Sequence, residues 1–408
     1  MEEWKEYKLK DVTTILGDGL HGTPKYDKNG NVFFINGNNL VDGKIEIKDS
    51  TKRVSEDEAN KYRRNLNHRT ILVSINGTIG NVAKYKGETC ILGKSACYFN
   101  VAEDFDLDFI YYVVASKQFR NTITRLATGT TIKNVSLETM RNYSFVAPSI
   151  NGQKSISSML SSLDNKIELN HRINDNLEQQ AQALFKSWFV DFEPFKDGEF
   201  VNSEFGMIPK GWRIGVLSDI IEILSGFAFK SNTFEIEGKY KLITIKAVQD
   251  GYLDLNGADS INDVPIKVPI HCFLKKKDIL LSLTGNVGRC CLVNSDNLLL
   301  NQRVAKIEPK KTKDWAYTYI LFRLADTKTY LETISRGTAQ ANLSPIETAN
   351  MPILIPTREV MDAFSVCATP LVNYSMVLTI EAEKLAQHRD TLLPKLMSGE
   401  LKINDLNS

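Results

Sequence analysis

Residues 17–22 read GDGLHG and match G-x-G-x-x-G, the spacing with which a strand-to-helix turn cradles a dinucleotide pyrophosphate. That chemistry needs a buried strand before the first glycine and a helix near the third, so that helix amides meet the phosphates. Here Gly22 leads into Thr23, Pro24 and KYDKNGN, which is turn chemistry, and 208 residues later the chain reads SGFAFK without the pattern. The expectation is a loop carrying His21, Lys25 and Tyr26 that approaches a ligand closely, not a cofactor cradle.

Other reactive groups are scattered. Cys90, Cys97, Cys272, Cys290, Cys291 and Cys367 form no C-x-x-C pair and have no histidine at ligand spacing, which predicts buried free thiols. His21, His68, His171, His271 and His388 are equally isolated, so no metal site is expected. DFEPFK (191–196) gathers Asp191, Glu193 and Lys196 as a nuclease would, but Pro194 breaks a helix there and a solvated helix exit is expected. The chain has no G-x-S-x-G, Walker loop, H-E-x-x-H or methyltransferase Asn/Asp-Pro-Pro-aromatic motif. The residues thus point to a non-catalytic chain with no cofactor of its own.

The elements that carry these residues occur twice. ILVSINGTIGNV (71–82) pairs with ILLSLTGNVGRC (279–290), and TGTTIKNVSLETMRNYSFVAP (128–148) with RGTAQANLSPIETANMPILIP (336–356). Gly129 and Gly337, Pro148 and Pro356, and Trp4 and Trp212 are each 208 positions apart, so the chain is a tandem duplication. In each half, short β-branched and aromatic runs such as VFFING, ILVSI, YKLITI and DILLSL predict strands. The SINGTIG (74–80) and SLTGNVG (282–288) turns read as hairpins inside the fold.

Each half then changes period. Ile156, Leu160, Leu163, Ile167, Asn170, Asn174, Leu177, Ala181, Leu184 and Trp188 recur in steps of four and three, a coiled-coil seam with two polar interruptions. Its repeat is Phe364, Ala368, Leu371, Ser375, Leu378, Ala382, Leu385, Arg389, Leu392 and Leu396. The expected fold class is α+β: two β-rich domains in tandem, each followed by a long helix, with the helices pairing antiparallel as a spacer. The expected boundaries are a first domain at 1–149, a central helix at 150–191 and a linker at 192–211. A second domain follows at 212–357, then a helix and tail at 358–408.

At 408 residues and 42% hydrophobic content, the chain can fill two cores. Net charge is +1 overall; residues 1–149 and 200–357 each carry +3, and the helical segments are acidic. That division suits domains that face phosphate and helices that face protein. No run of about 18 apolar residues stands out and the start, MEEWKEYKLK, is charged, so a cytoplasmic protein without a membrane partner is expected.

The helix ending in ALFKSWFVDFEPF (183–195), the segment SEFGMIPKGW (203–212) and the ending LLPKLMSGEL (392–401) resemble the specificity subunit of a Type I restriction-modification system. GDGLHGTPKYDKNGNVFFINGNNLVDGKI (17–45) and SGFAFKS (225–231) resemble the openings of its two target recognition domains, and the similarity spans essentially the whole chain. The resemblance implies a subunit without catalysis, in which each domain reads one half of a split site in double-stranded DNA. The helices would set the spacing of the halves and dock two methyltransferase subunits. S-adenosylmethionine would belong to those partners, ATP and Mg to separate restriction and translocase subunits. Unequal domain sequences imply an asymmetric site.

Candidate DNA contacts are Thr130, Thr131, Lys133 and Asn134 in GTTIKN, with Thr338, Gln340 and Asn342 in GTAQAN. These loops either touch DNA or order their own domains. Lys25 and Tyr26 in the first domain and Lys230, Arg289, Arg303 and Arg336 in the second are the further candidates. The coiled-coil and partner candidates are Ile156, Leu160, Leu163, Ile167, Asn170, Asn174, Leu177, Leu184, Leu371, Leu378, Leu385 and Leu392. The competing reading is an assembly scaffold whose domains bind protein.

Overall fold

The computed structural model describes residues 4–129, 132–337 and 341–401. They form two compact units, Met1–Ile167 with Lys384–Ser408, and Glu168–Glu383. The division therefore falls inside both long helices.

The duplication holds at the level of single elements. Strands Val82–Lys84 and Ala96–Val101 recur as Cys290–Leu292 and Val304–Pro309, and helices Leu107–Ala115 and Lys117–Leu126 as Trp315–Arg323 and Ala325–Ile334. The long helices Ile150–Phe189 and Arg358–Met397 are both 40 residues and sit 208 positions apart.

In the first unit, Thr13–Asp18, Ala96–Val101, Thr70–Ser74 and Val82–Lys84 form a four-stranded sheet in that order. A three-stranded sheet of Arg53–Val54, Val32–Ile35 and Cys90–Leu92 adjoins it in sequence, and Lys5–Lys8 pairs with Ser144–Ala147. Strand Thr70–Ser74 is buried on both faces, which explains why ILVSI reads as a continuous apolar run. Phe99, Phe109 and Phe119 fill the core with Ile156 and Leu160 from the first long helix and Leu396 from the second. Each fully buried phenylalanine contributes roughly 1.5–3 kcal/mol. Asp106 and Ser116 cap the two short helices, accepting from the Phe109 and Phe119 amides at 2.8 and 3.1 Å.

In the second unit the corresponding four-stranded sheet is Ile221–Ser225, Val304–Pro309, Ile279–Ser282 and Cys290–Leu292. Its core adds Phe185 and Phe189 of the first long helix to Phe364, Ala368 and Val372 of the second. Helix Trp315–Arg323 starts at Asp314, whose carboxylate is not a cap; both its oxygens accept from Arg358, at 2.6 and 2.9 Å. Across the chain, five cysteines are buried as expected, whereas Cys367 is exposed on its helix.

Within each unit the long helices run antiparallel. In the second, Phe189 and Phe364 rings lie 4.7 Å apart, and further along Asn174 donates to Thr379 and Asn170 to Glu381. In the first, Asp164 accepts from Arg389 at 2.7 Å and from the Tyr112 hydroxyl at 2.6 Å, tying both helices to the first domain. Ile156, Leu160, Asn170, Leu177 and Ala181 are buried, and Leu163, Ile167, Asn174, Leu184 and Trp188 half-buried. Phe364, Ala368, Leu378, Ala382 and Leu396 are buried, and Leu371, Ser375, Leu385, Arg389 and Leu392 half-buried. The second long helix is apolar enough by composition to cross a membrane, but the seam occupies one of its sides.

Two expectations for the connecting segment change. The helix ends at Phe189, not at 191, because Phe192 turns left-handed (φ 54°) ahead of Pro194. Residues 192–211 are not a bare linker: Phe200–Ser203 and Gly206–Pro209 form an antiparallel hairpin.

Candidate nucleic-acid interface

The two motifs that stand apart in sequence, the glycine turns and the GT loops, are one structure. Strands Thr70–Ser74 and Val82–Lys84 are joined by the hairpin turn 75–81, whose tip exposes Gly77 and Thr78. The GT loop folds back on itself, Thr128 and Asn134 exchanging backbone hydrogen bonds of 2.9 and 2.7 Å, and docks on that turn. Val135 donates to the Ile75 carbonyl at 2.8 Å, and the Asn76 amide donates to Asn134 Oδ1 at 3.3 Å. Gly129 sits at φ 99°, and a Cβ there would fall 2.4 Å from the Ile132 carbonyl, so the fold requires glycine.

The second domain repeats the clamp with a different donor. Arg336 and Asn342 exchange backbone bonds of 2.9 and 2.8 Å, Leu343 donates to Leu283 at 2.7 Å, and Thr284 Oγ1 donates to Asn342 Oδ1 at 3.0 Å. Each loop starts at a left-handed glycine, Gly337 at φ 112°. Asn134 and Asn342 thus hold the loop to the turn. Bidentate reading of adenine needs both amide atoms, and their oxygens are already engaged. Lys133 is exposed, and its carbonyl accepts from Gly77 at 3.3 Å. Thr130, Thr131, Thr338 and Gln340 lie outside the described residues.

The basic candidates divide. Arg303 is exposed and left-handed (φ 70°), and its carbonyl accepts from Leu283, which brings it to the turn that Asn342 also reaches. Arg336 pairs with Glu347, and Arg289 is half-buried and donates to Gln249 at 2.5 Å, so neither guanidinium is uncommitted. Lys230 is exposed after the loop in which Phe227 bonds to Leu300 and Gln302. In the first domain Lys25 and Tyr26 lie on the 20–30 loop. The Lys25 amide donates to Glu58 at 2.9 Å; with Lys61 it holds the Glu58 carboxyl below the usual carboxylate range. Tyr26 is 48% exposed, its ring 6.0 Å from Phe34.

The GDGLHG loop serves the backbone. A Cβ on Gly19 would lie 2.1 Å from the Leu92 carbonyl, and one on Gly226 2.1 Å from that of Asn301. Residues 23–31, directly after Gly22, are not helical. Sequence reasoning missed the side chains that shape this loop: Arg64 donates to the Asp18 carbonyl and Arg141 to that of Leu16, both at 3.0 Å. It also missed exposed Lys94, whose amide donates to Leu20, and Arg120, which donates to Gly80 at the hairpin tip. These pairs lie 40 to 125 residues apart, beyond any local pattern.

The arrangement offers exposed loops and cations. Asp191 and Glu193 are exposed and paired with Lys186 and Lys196. Among the described residues no group of three His, Cys, Asp or Glu side chains could hold a metal ion.

The family model for the Type I restriction modification DNA specificity domain matches residues 1–179 and 209–360. The MjaIX specificity subunit of Methanocaldococcus jannaschii is 26% identical, the alignment covering 99% of this chain and 95% of the relative. The HindI specificity subunit of Haemophilus influenzae is 22% identical over 98% of this chain and all of the relative. In fold, the chain is similar to a crystallised Type I restriction-modification S subunit from M. genitalium, with TM-score 0.55 and 19% identity over 97% of this chain and 96% of that one.

Proposed function

Because the chain belongs to the Type I restriction modification DNA specificity family and is the DNA sequence-specificity subunit of such a system, we propose that each of its two domains reads one half of a split, asymmetric DNA site. The observation that carries this is the repeated hairpin and docked GT loop, alike in backbone and different in side chains: Asn76 in one domain, Thr284 in the other. A shared clamp suits backbone positioning on the duplex; the differing residues around it suit different base readings. The helical seam sets the separation of the half-sites and offers its outer faces to methyltransferase subunits, with translocase subunits joining the same complex. The chain itself contributes recognition only. S-adenosylmethionine, ATP and Mg act on the partners, and the complex works in the cytoplasm.

The test is methylation mapping at base resolution in cells that express the chain with its own methyltransferase subunit, against cells lacking only this chain. A split, asymmetric methylated-adenine motif is expected, and exchanging residues 1–149 for another recognition domain should change one half of it. A change in both halves would overturn the one-domain-one-half reading, and a bound methyltransferase that writes no chain-dependent motif would favour a scaffold.

A further inference from the structure

Arg69 and Lys277 hold the same position in the two repeats and are used differently. Arg69 is buried to 17% side-chain exposure and plugs its site, donating to the carbonyls of Val101, Ala102 and Phe105 at 2.6–2.8 Å. Lys277 is left-handed (φ 78°); its carbonyl accepts from Trp315 Nε1 at 2.7 Å and its ammonium stands 5.4 Å from that ring. With no plug, a cleft of about 740 Å³ lies between this loop, strand Val304–Pro309 and the second long helix, all within the second unit.

The cleft is lined by apolar Ile279, Ile307, Trp315 and Val366, with Lys277 and Lys313 also on its wall. Lys306 is already neutralised by Asp278 at 3.1 Å, their side chains 12% and 14% exposed. On the helix wall Ser365 Oγ and Asn373 Oδ1 are buried and have no hydrogen-bond partner among the described residues; Ser365 as a whole is 8% exposed. Val366, Tyr374 and Val377, at 75%, 51% and 59% exposure, extend the apolar character along the helix. The matching residues of the first helix are Ser158, Lys166 and Leu169.

We infer that this cleft, left open by Lys277 where Arg69 fills the matching site of the first repeat, docks an extended segment of a partner protein subunit that carries an apolar side chain flanked by carboxylates. The apolar side chain fills the space against Ile279, Ile307 and Trp315, and the carboxylates meet Lys277 and Lys313. DNA is disfavoured because phosphates gain nothing from the apolar lining of Ile279, Ile307, Trp315 and Val366. The inference rests on the reading that the chain works inside a multisubunit complex.

The test places the photo-crosslinker p-benzoylphenylalanine at Val366 in the full chain, co-expressed with its own methyltransferase and translocase subunits, and at Ser158 in a matched control. An adduct from position 366 to a single acidic-apolar protein segment, with none from 158, is expected. Lys277→Glu with Lys313→Glu should lower its yield about tenfold. Adducts to DNA or to a basic segment, equal yield from 158, or no protein adduct from 366 would overturn the inference. Methylation mapping on the same cells separates the failures. A split motif without the adduct removes only the docking site, and absence of the motif from the unmodified chain removes the recognition reading beneath it.

Discussion

Asn170 and Leu378 occupy the same position of the two repeats, and they touch: the Asn170 amide nitrogen lies 3.4 Å from the Leu378 carbonyl, at the midpoints of the two long helices. The same nitrogen donates to Glu381 at 2.7 Å, while Asn170 Oδ1 is buried without a partner among the described residues. A polar residue in a seam costs stability and fixes register.

Replacing Asn170 with Leu is therefore expected to stabilise the chain by roughly 1 kcal/mol. It should also weaken control of pairing, so that larger species appear in light scattering. A lower unfolding midpoint in a monodisperse sample would show that the hydrogen bonds outweigh the burial.

Gly19→Ala forces a Cβ onto the Leu92 carbonyl, and a cost of about 2 kcal/mol or more is expected in urea unfolding. Nicotinamide dinucleotides should leave the melting of the unaltered chain where it was. A dinucleotide-dependent shift would restore the cofactor reading of GDGLHG.

Asp250 carries the acid sensitivity of the second unit's charge cluster. Burial pushes its carboxyl up, but Lys328 at 2.8 Å and Arg323 outweigh that and hold it below the usual carboxylate range. Such a group stabilises the fold fully above its unfolded value of about 3.9 and loses that contribution as pH falls through the lower folded value. Asp250→Asn should flatten this part of the acid limb in denaturant unfolding measured against pH; an unchanged limb would remove Asp250 from the account.

Asn134→Ala and Asn342→Ala each remove one clamp between GT loop and hairpin, worth about 1 kcal/mol locally. The expected outcome in methylation mapping is relaxed reading of one half-site, a different half for each variant. Equal loss at both halves would point to general unfolding.

The tandem architecture was legible because duplication leaves a constant offset and seams leave a period. Gly129 and Gly337, or Leu160 and Ala368, announce themselves without knowledge of any contact. The candidate site was legible only in outline. Whether Asn342 contacts DNA or orders its own domain stayed open in the sequence because an amide's role depends on what already holds it, and Thr284 holds it from 58 residues away. The hairpin at 200–209 was hidden because Glu204, Phe205 and Gly206 lack the alternation of a half-buried strand. Arg69 and Lys277 are both basic at the same position of the repeat; only their different contacts reveal that one fills its site and the other leaves it open.

The two halves also fasten their helices by unrelated means. Asp164 gathers Tyr112 and Arg389 in one unit; in the other, Arg323 grips Glu178 at 2.5 Å and Arg358 grips Asp314. A change that loosens one latch finds no counterpart in the other, so the descendants of a single ancestral module have become separately heritable parts. Each can drift toward a new partner or a new word of DNA while its twin stays as it was.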